Sequence, residues 1–208
     1  MSIKAVIFDM DGVLIDAKDW HYDALNEALS LFGYEINRHE HLTTYDGLPT
    51  KTKLQRLSLD KGLPERLHSF INEMKQQYTI NLIHKLCRPQ FNHEYALSRL
   101  KTEGFRLAAA SNSIRYTMDM MLGKANLLPY LNFTLSNEDV SIPKPSSEIY
   151  LKAIKLLELE PNDCLIVEDN ENGIKAARDS GANVMIVKDV IDVNYKNILK
   201  HIKQYEDK

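Results

Sequence analysis

Cysteine is nearly absent. The 208 residues hold two, Cys87 and Cys164, far apart and with neither a CxxC pair nor a metal-ligand spacing between them. That excludes a disulfide framework and a cysteine-held metal. An excess of positive charge is also lacking: 26 Lys and Arg stand against 29 Asp and Glu, for a formal net charge of -3. A general nucleic-acid binder needs clustered cations to neutralise phosphates, so no nucleic-acid partner is expected. The short basic group Lys51, Lys53 and Arg56 reads as a solvated helix face. No long hydrophobic run occurs. The opening "IKAVIF" is strand-sized and carries no charged region or cleavage site, which leads us to expect no signal peptide, no membrane contact and a cytoplasmic protein. Proline-rich and low-complexity stretches are missing as well. With 44% hydrophobic and 26% charged residues, the chain reads as one globular domain or a core with a smaller insertion.

What is present is a rhythm of short apolar runs and helical periodicity. "KAVIF" (4–8), "FRLAAA" (105–110), "LNFTL" (131–135), "CLIV" (164–167) and "VMIV" (184–187) read as buried strands. Between the later ones, "HEYALSRLKTEG", "IRYTMDMMLGKANLL", "SSEIYLKAIKLLEL" and "NGIKAARDSG" repeat apolar residues at three- and four-residue spacing, and two of them stop on glycine. The expected class is therefore α/β, with a Rossmann-like, mostly parallel sheet and helices on both faces. The rhythm breaks after the first strand. Residues 16–88 show helical periodicity only and read as an inserted helical domain, which leaves 1–15 and 89–208 as the core. In the insertion, Trp20, Ala24, Ala28, Leu31 and Phe32 form one expected core stripe. Leu67, Ile71, Met74, Tyr78 and Leu82 form another, behind a Pro64 suited to a helix's first turn. A last helix, with Ile198, Ile202 and Tyr205 on one stripe, is expected to pack back on the core.

The chemistry-bearing residues gather at strand ends. "IFDMDGVLID" places Asp9 and Asp11 where the first apolar run closes; they would share a side if the strand continued, although Gly12 suggests that the chain turns there. A lone DxD is more often a pair of solvated loop acids. Here, however, the second strand ends in Ser111 and Asn112, able to grip an anion with a hydroxyl and backbone amides. Lys144 stands between two prolines ahead of a helix. A fourth run ends in Glu168 and Asp169. Carboxylates clustered without histidine or cysteine suit a hard, oxygen-preferring ion such as Mg²⁺, and Mg²⁺ with a lysine would offset the repulsion between a carboxylate and a phosphate ester.

With these residues in place the sequence resembles the haloacid dehalogenase-like hydrolase superfamily, in the phosphatase and beta-phosphoglucomutase branch that carries a helical cap. "DMDGVLID" matches the first motif, Ser111 the second, Lys144 in "KPSSEIY" the third and "EDNENGI" the fourth, in order and across essentially the whole chain. The resemblance implies that Asp9 is the nucleophile that forms an aspartyl-phosphate, and that Asp11 protonates the leaving oxygen and then activates water. It implies that Ser111 holds the transferring phosphoryl group and that Lys144 neutralises charge. Mg²⁺ would sit on Asp9, Glu168, Asp169 and the backbone carbonyl of Asp11. Asn112 and, from the cap, His21, Gly47, Thr50 and Lys51 are the expected substrate contacts. Ala17 departs from the threonine or serine common at that hinge position.

The resulting expectation is a monomeric Mg²⁺-dependent phosphatase acting on a small phosphorylated metabolite, such as a sugar phosphate. A beta-phosphoglucomutase-type transferase is the alternative with the same catalytic residues. A phosphonate-cleaving relative would need a buried cap lysine, and Lys51, Lys53 and Lys75 carry no mark of burial in the sequence. A dehalogenase would have no use for Asp11 or the acidic metal site. A phospho-acceptor binding module is a remote reading, because receivers are shorter and carry their acceptor on a later strand.

Overall fold

The computed structural model describes residues 2–206. Its sheet consists of β1 (Ala5–Phe8), β2 (Arg106–Ala110), β3 (Phe133–Leu135), β4 (Cys164–Glu168) and β5 (Asn183–Ile186). Their order is β3-β2-β1-β4-β5, and every neighbouring pair is parallel. All residues of β1 and β4 are buried. Strands covered on both faces must be apolar at consecutive positions, so these segments read as unbroken hydrophobic runs without alternation. The chain starts in the middle of the sheet, builds outward through β2 and β3, then returns to the other flank of β1 with β4. Ligands of open parallel sheets bind beyond the carboxyl ends of strands where the winding reverses. Here that place is the end of β1.

The chain forms two compact units, Met1–Asp16 with Arg88–Lys208, and Ala17–Cys87. The Ala17–Cys87 unit consists of α1 (Lys18–Ser30), the single turn α2 (Arg38–Glu40), α3 (Thr50–Lys61) and α4 (His68–Leu86), with no strand among the described residues. Leu25, Ala28 and Leu29 of α1 meet Leu54 and Leu57 of α3, Ile71 of α4, Tyr45 of the π-helical turn His41–Tyr45 and the loop residues Ile36 and Leu63 in its core. Each fully buried side chain of this size contributes about 1.5–3 kcal/mol.

Several expectations for this unit fail. Leu31 and Phe32 are 53% and 37% exposed because α1 ends at Ser30, and Leu25 and Leu29 fill the inner positions instead. The second stripe holds in large part, since Ile71 is buried in the core and the half-buried Leu67, Met74 and Tyr78 pack against it, but the buried positions of α4 also include Lys75, Thr79 and Ile83. Pro64 precedes a 3-10 turn, Glu65–Leu67, and does not open α4. Lys53 is not solvated but buried, since it shares the inner side of α3 with Leu54 and Leu57 and its long stem packs there. Burial, with the Lys53 charge adding to it, pulls the His41 imidazole down to about 4.

In the other unit α5 (Phe91–Thr102), α6 (Arg115–Lys124), α7 (Glu148–Leu156), α8 (Glu171–Asp179) and α9 (Tyr195–Glu206) flank the sheet. Ile149, Tyr150, Ala153 and Ile154 of α7 and Ala176 and Ala177 of α8 cover Ala5, Ile7, Cys164 and Ile166. The alternate residues Val6, Phe8, Leu165 and Val167 are equally buried, so the opposite face is covered too. There α5 packs against β2 and α9. Ile198 and Ile202 are buried and the Tyr205 hydroxyl donates to the Val184 carbonyl at 3.1 Å, so α9 does return to the core. Asp207 and Lys208, the last residues of that expected segment, lie outside the described residues. No described helix is long and apolar enough to cross a membrane, and both cysteines are free and buried.

Candidate active site

Asp9 and Asp11 do not share a side by continuing the strand. β1 ends at Phe8; the Asp9 amide still donates to the Val167 carbonyl at 3.0 Å, but then the chain curls so that the amides of Val13, Leu14 and Ile15 all turn to the Met10 carbonyl. Gly12, at φ +90°, makes that curl possible, a conformation a side chain would strain. Asp9 therefore follows the strand into the interior, 7% exposed, while Asp11 projects from the turn. Its Oδ2 accepts the hydroxyls of Ser113 at 2.8 Å and Ser111 at 3.3 Å, both just past the end of β2. Ser111 is not a helix cap, since α6 begins only at Arg115 behind Ile114.

Lys144 joins three strand ends. Its Nζ lies 2.6 Å from Asp9 Oδ1, 2.7 Å from Glu168 Oε1, 2.7 Å from the Tyr150 hydroxyl and 2.9 Å from the Ala110 carbonyl. The peptide bond from Lys144 to Pro145 is cis. Asn112 clamps the same residue from outside: its side-chain amide donates to the Lys144 carbonyl at 3.1 Å and accepts the Lys144 amide at 3.0 Å. Asn112 thus bonds both the carbonyl and the amide of Lys144. Tyr150, fully buried on α7, donates to Glu168 Oε1 at 2.5 Å, and Glu168 Oε2 accepts the amides of Asp169 at 3.1 Å and Asn170 at 3.4 Å.

Burial pushes the Asp9 carboxyl well above the usual aspartate range; Lys144 opposes this, and Glu168, Asp169 and Asp11 reinforce it. Burial works against the Lys144 ammonium, but Asp9 and Glu168 outweigh it and hold the lysine above its ordinary value. The Tyr150 phenol is driven well up, first by burial and then by the charges of Glu168 and Asp9. Asp9, Glu168 and Asp169 each place an oxygen within 4.8 Å of the others. With Lys144, these three carboxylates sum to a formal charge of about -2. An all-oxygen donor set with that residual charge fits a hard divalent cation such as Mg²⁺.

Gly173, in the first turns of α8, explains how the carboxylate of Glu168 is accommodated. A Cβ at this position would lie 1.9 Å from Glu168 Oε1. Ordinarily glycine to alanine within a helix gains about 0.5–1 kcal/mol. Gly173→Ala is expected to reverse that sign and cost on the order of 1–3 kcal/mol, because Glu168 cannot move without breaking its bonds to Lys144 and Tyr150. Urea unfolding of the two proteins checks it.

The remaining expected contacts belong to the Ala17–Cys87 unit. His21 Nδ1 lies 3.2 Å from the buried Lys75 Nζ, Thr50 opens α3, Lys51 is exposed and Gly47 has a φ of +69°. Ser113, Tyr150 and Gly173 escaped the sequence reading. Ser113 repeats Ser111 two positions on, Tyr150 lies six after Lys144, and Gly173 closes the acidic run, but none of these spacings alone reveals a bond across strands.

A parallel α/β sheet that gathers three carboxylates and a buried lysine at its point of reversed winding, with a serine pair alongside, defines a hydrolase core built to manage anionic charge. A family model for haloacid dehalogenase-like hydrolases matches residues 6–187, and the chain belongs to that family. It is similar to the phosphoglycolate phosphatase of Aquifex aeolicus, 28% identical over 88% of this chain and 84% of that one. It is also similar to the phosphorylated carbohydrates phosphatase of Thermotoga maritima, 25% identical over 86% and 82%. Its fold matches the beta-phosphoglucomutase of Clostridium difficile with a TM-score of 0.85, at 21% identity over 99% of this chain and 100% of that one.

Proposed function

We propose that the protein is a Mg²⁺-dependent phosphatase that hydrolyses a small phosphorylated metabolite, such as a sugar phosphate, through an aspartyl-phosphate. The observation that carries the reading is the Lys144 ammonium, held between Asp9 and Glu168 in a pocket of three carboxylates. Asp9 would attack phosphorus with a carboxylate oxygen while Asp11 gives its proton to the departing alcohol. Asp11, then a carboxylate, would take a proton from the water that displaces Asp9. Ser111 would hold the transferring phosphoryl group, and Lys144 would offset the repulsion between that group and Asp9. Asp9, Glu168 and Asp169, with the Asp11 backbone carbonyl, would hold Mg²⁺, which supplies electrostatic stabilisation of the phosphoryl oxygens.

The Ala17–Cys87 unit takes the role of a cap that selects the substrate, with His21, Gly47, Thr50 and Lys51 as its contacts. We further place the protein in the cytoplasm as a monomer; two buried free thiols suit a reducing compartment. The test is inorganic phosphate release from a panel of sugar phosphates, nucleotides and other small phosphate esters. Release is expected with Mg²⁺ and to vanish with chelator. No release from any ester, together with isomerisation of a hexose phosphate once a sugar bisphosphate is added, would replace hydrolysis by a mutase reaction on the same residues.

A further inference from the structure

Asp9 and Ser111 follow directly on β1 and β2, whereas Asp11 sits two residues beyond Asp9, outside any helix or strand. It projects from the turn after β1. Two hydroxyls reach it from the end of β2. Ser113 Oγ donates to Asp11 Oδ2 at 2.8 Å, the shorter of the pair, and Ser111 Oγ donates at 3.3 Å. Ser111 Oγ in turn accepts the Ser113 amide at 3.0 Å, so the Ser111-Asn112-Ser113 segment is drawn into a small hook around the carboxylate.

These bonds differ in what they can keep doing during turnover. Ser111 is the residue proposed to bind the transferring phosphoryl group, and a hydroxyl has one proton to donate. When Ser111 turns to a phosphoryl oxygen, its bond to Asp11 is given up. The Ser113 bond to Asp11 is not given up with it. We infer that Ser113 is a positioning residue for Asp11: its hydroxyl holds Oδ2 while the carboxyl group exchanges the proton with the leaving oxygen. The inference rests on the proposed phosphatase reading, in which Asp11 is the acid and base.

A bond forms between an Asp9 oxygen and phosphorus, the bond from phosphorus to the leaving oxygen breaks, and that oxygen receives the Asp11 proton. Misplacing Asp11 therefore matters most when the leaving group is a poor one. The test compares kcat/KM for two probes, phenyl phosphate, whose leaving group is a weak acid, and p-nitrophenyl phosphate, whose leaving group departs readily as the anion. kcat/KM reports only the steps through departure of the alcohol, so the later use of Asp11 as a base does not enter.

For Ser113→Ala the expected result is a loss of roughly 10- to 100-fold on phenyl phosphate and less than about threefold on p-nitrophenyl phosphate, a partial version of the 10²- to 10⁴-fold that general acid catalysis supplies. Ser113→Thr, which keeps the hydroxyl, is expected to restore most of the loss. A merely structural role would lower both probes together and leave their ratio alone. Asp11→Asn separates the two levels of the argument. If Asp11→Asn shows the leaving-group selectivity and Ser113→Ala does not, or if Ser113→Thr fails to restore it, the inference is overturned and the phosphatase reading stands. If Asp11→Asn changes neither probe, the proposed role of Asp11 falls and this inference with it.

Discussion

Asp9→Asn is expected to lose phosphate release by at least about 10⁴-fold, in the range seen when the attacking group of a covalent mechanism is removed. The amide cannot attack phosphorus, and Glu168 beside it is already engaged by Tyr150, Lys144 and two backbone amides. Stability is expected to move the other way. Burial and the acids around Asp9 disfavour its ionised form in the folded protein, so the folded state binds the proton more tightly than the unfolded one. The stability this contributes is fully present below the ordinary aspartate range and is lost as pH rises through the raised folded value. In chelator, wild-type stability should therefore fall as pH rises out of the acid range, and Asp9→Asn should fall less and unfold at an equal or higher urea concentration at neutral pH. Activity and urea midpoints measured on the same preparations check both halves. A variant with wild-type turnover would remove Asp9 as the nucleophile.

Lys144→Met is expected to destabilise the metal-free protein by about 3–5 kcal/mol, the scale for breaking a buried ion pair by deleting one partner. The apolar stem is kept, so the loss is one of charge. Asp9 and Glu168 would lose their shared cation while 7% and 1% exposed, and the Ala110 carbonyl and Tyr150 hydroxyl would each lose a donor. Against a typical total of 5–15 kcal/mol, that is a large fraction. Turnover should fall at least about 10²- to 10³-fold for the lost charge stabilisation. Millimolar Mg²⁺ should raise the variant's unfolding midpoint, because the same carboxylates would hold it. Urea denaturation with Mg²⁺ and with chelator is the measurement. An unchanged midpoint in chelator would mean that the Lys144 cluster does not hold these carboxylates in place.

The backbone order was legible because local chemistry dictates it. The runs around Ile7, Ala109 and Ile166 are apolar at consecutive positions, which only a sheet covered on both faces requires. Polar residues stand where those runs stop, so Asp9, Ser111, Glu168 and Asp169 fall on one sheet edge by sequence alone. The amphipathic stripes were less secure. Where α1 ends decided whether Leu29 or Phe32 faced inward, and a boundary shifted by one or two residues rotates the stripe by about 100° per residue. Lysines were the least readable. Lys53 and Lys75 carry the same side chain as the exposed Lys51, and only neighbours distant in sequence determine that they are buried.

The sequence by itself determined the α/β class, the mostly parallel character of the sheet and the residues that end its strands, because hydrophobic periodicity and strand termini are properties of neighbours along the chain. The tertiary structure alone decided which atoms meet. It curled the chain at Gly12, so that Asp9 and Asp11 part company, and brought Ser113 to Asp11, Tyr150 to Glu168 and Asn112 to the backbone of Lys144. These partners lie 102, 18 and 32 residues apart in the chain. The physical reason is one of range. A strand or helix is chosen by forces acting over a few residues, whereas a hydrogen bond between side chains depends on a placement of about half an ångström that the packing of the whole sheet must supply.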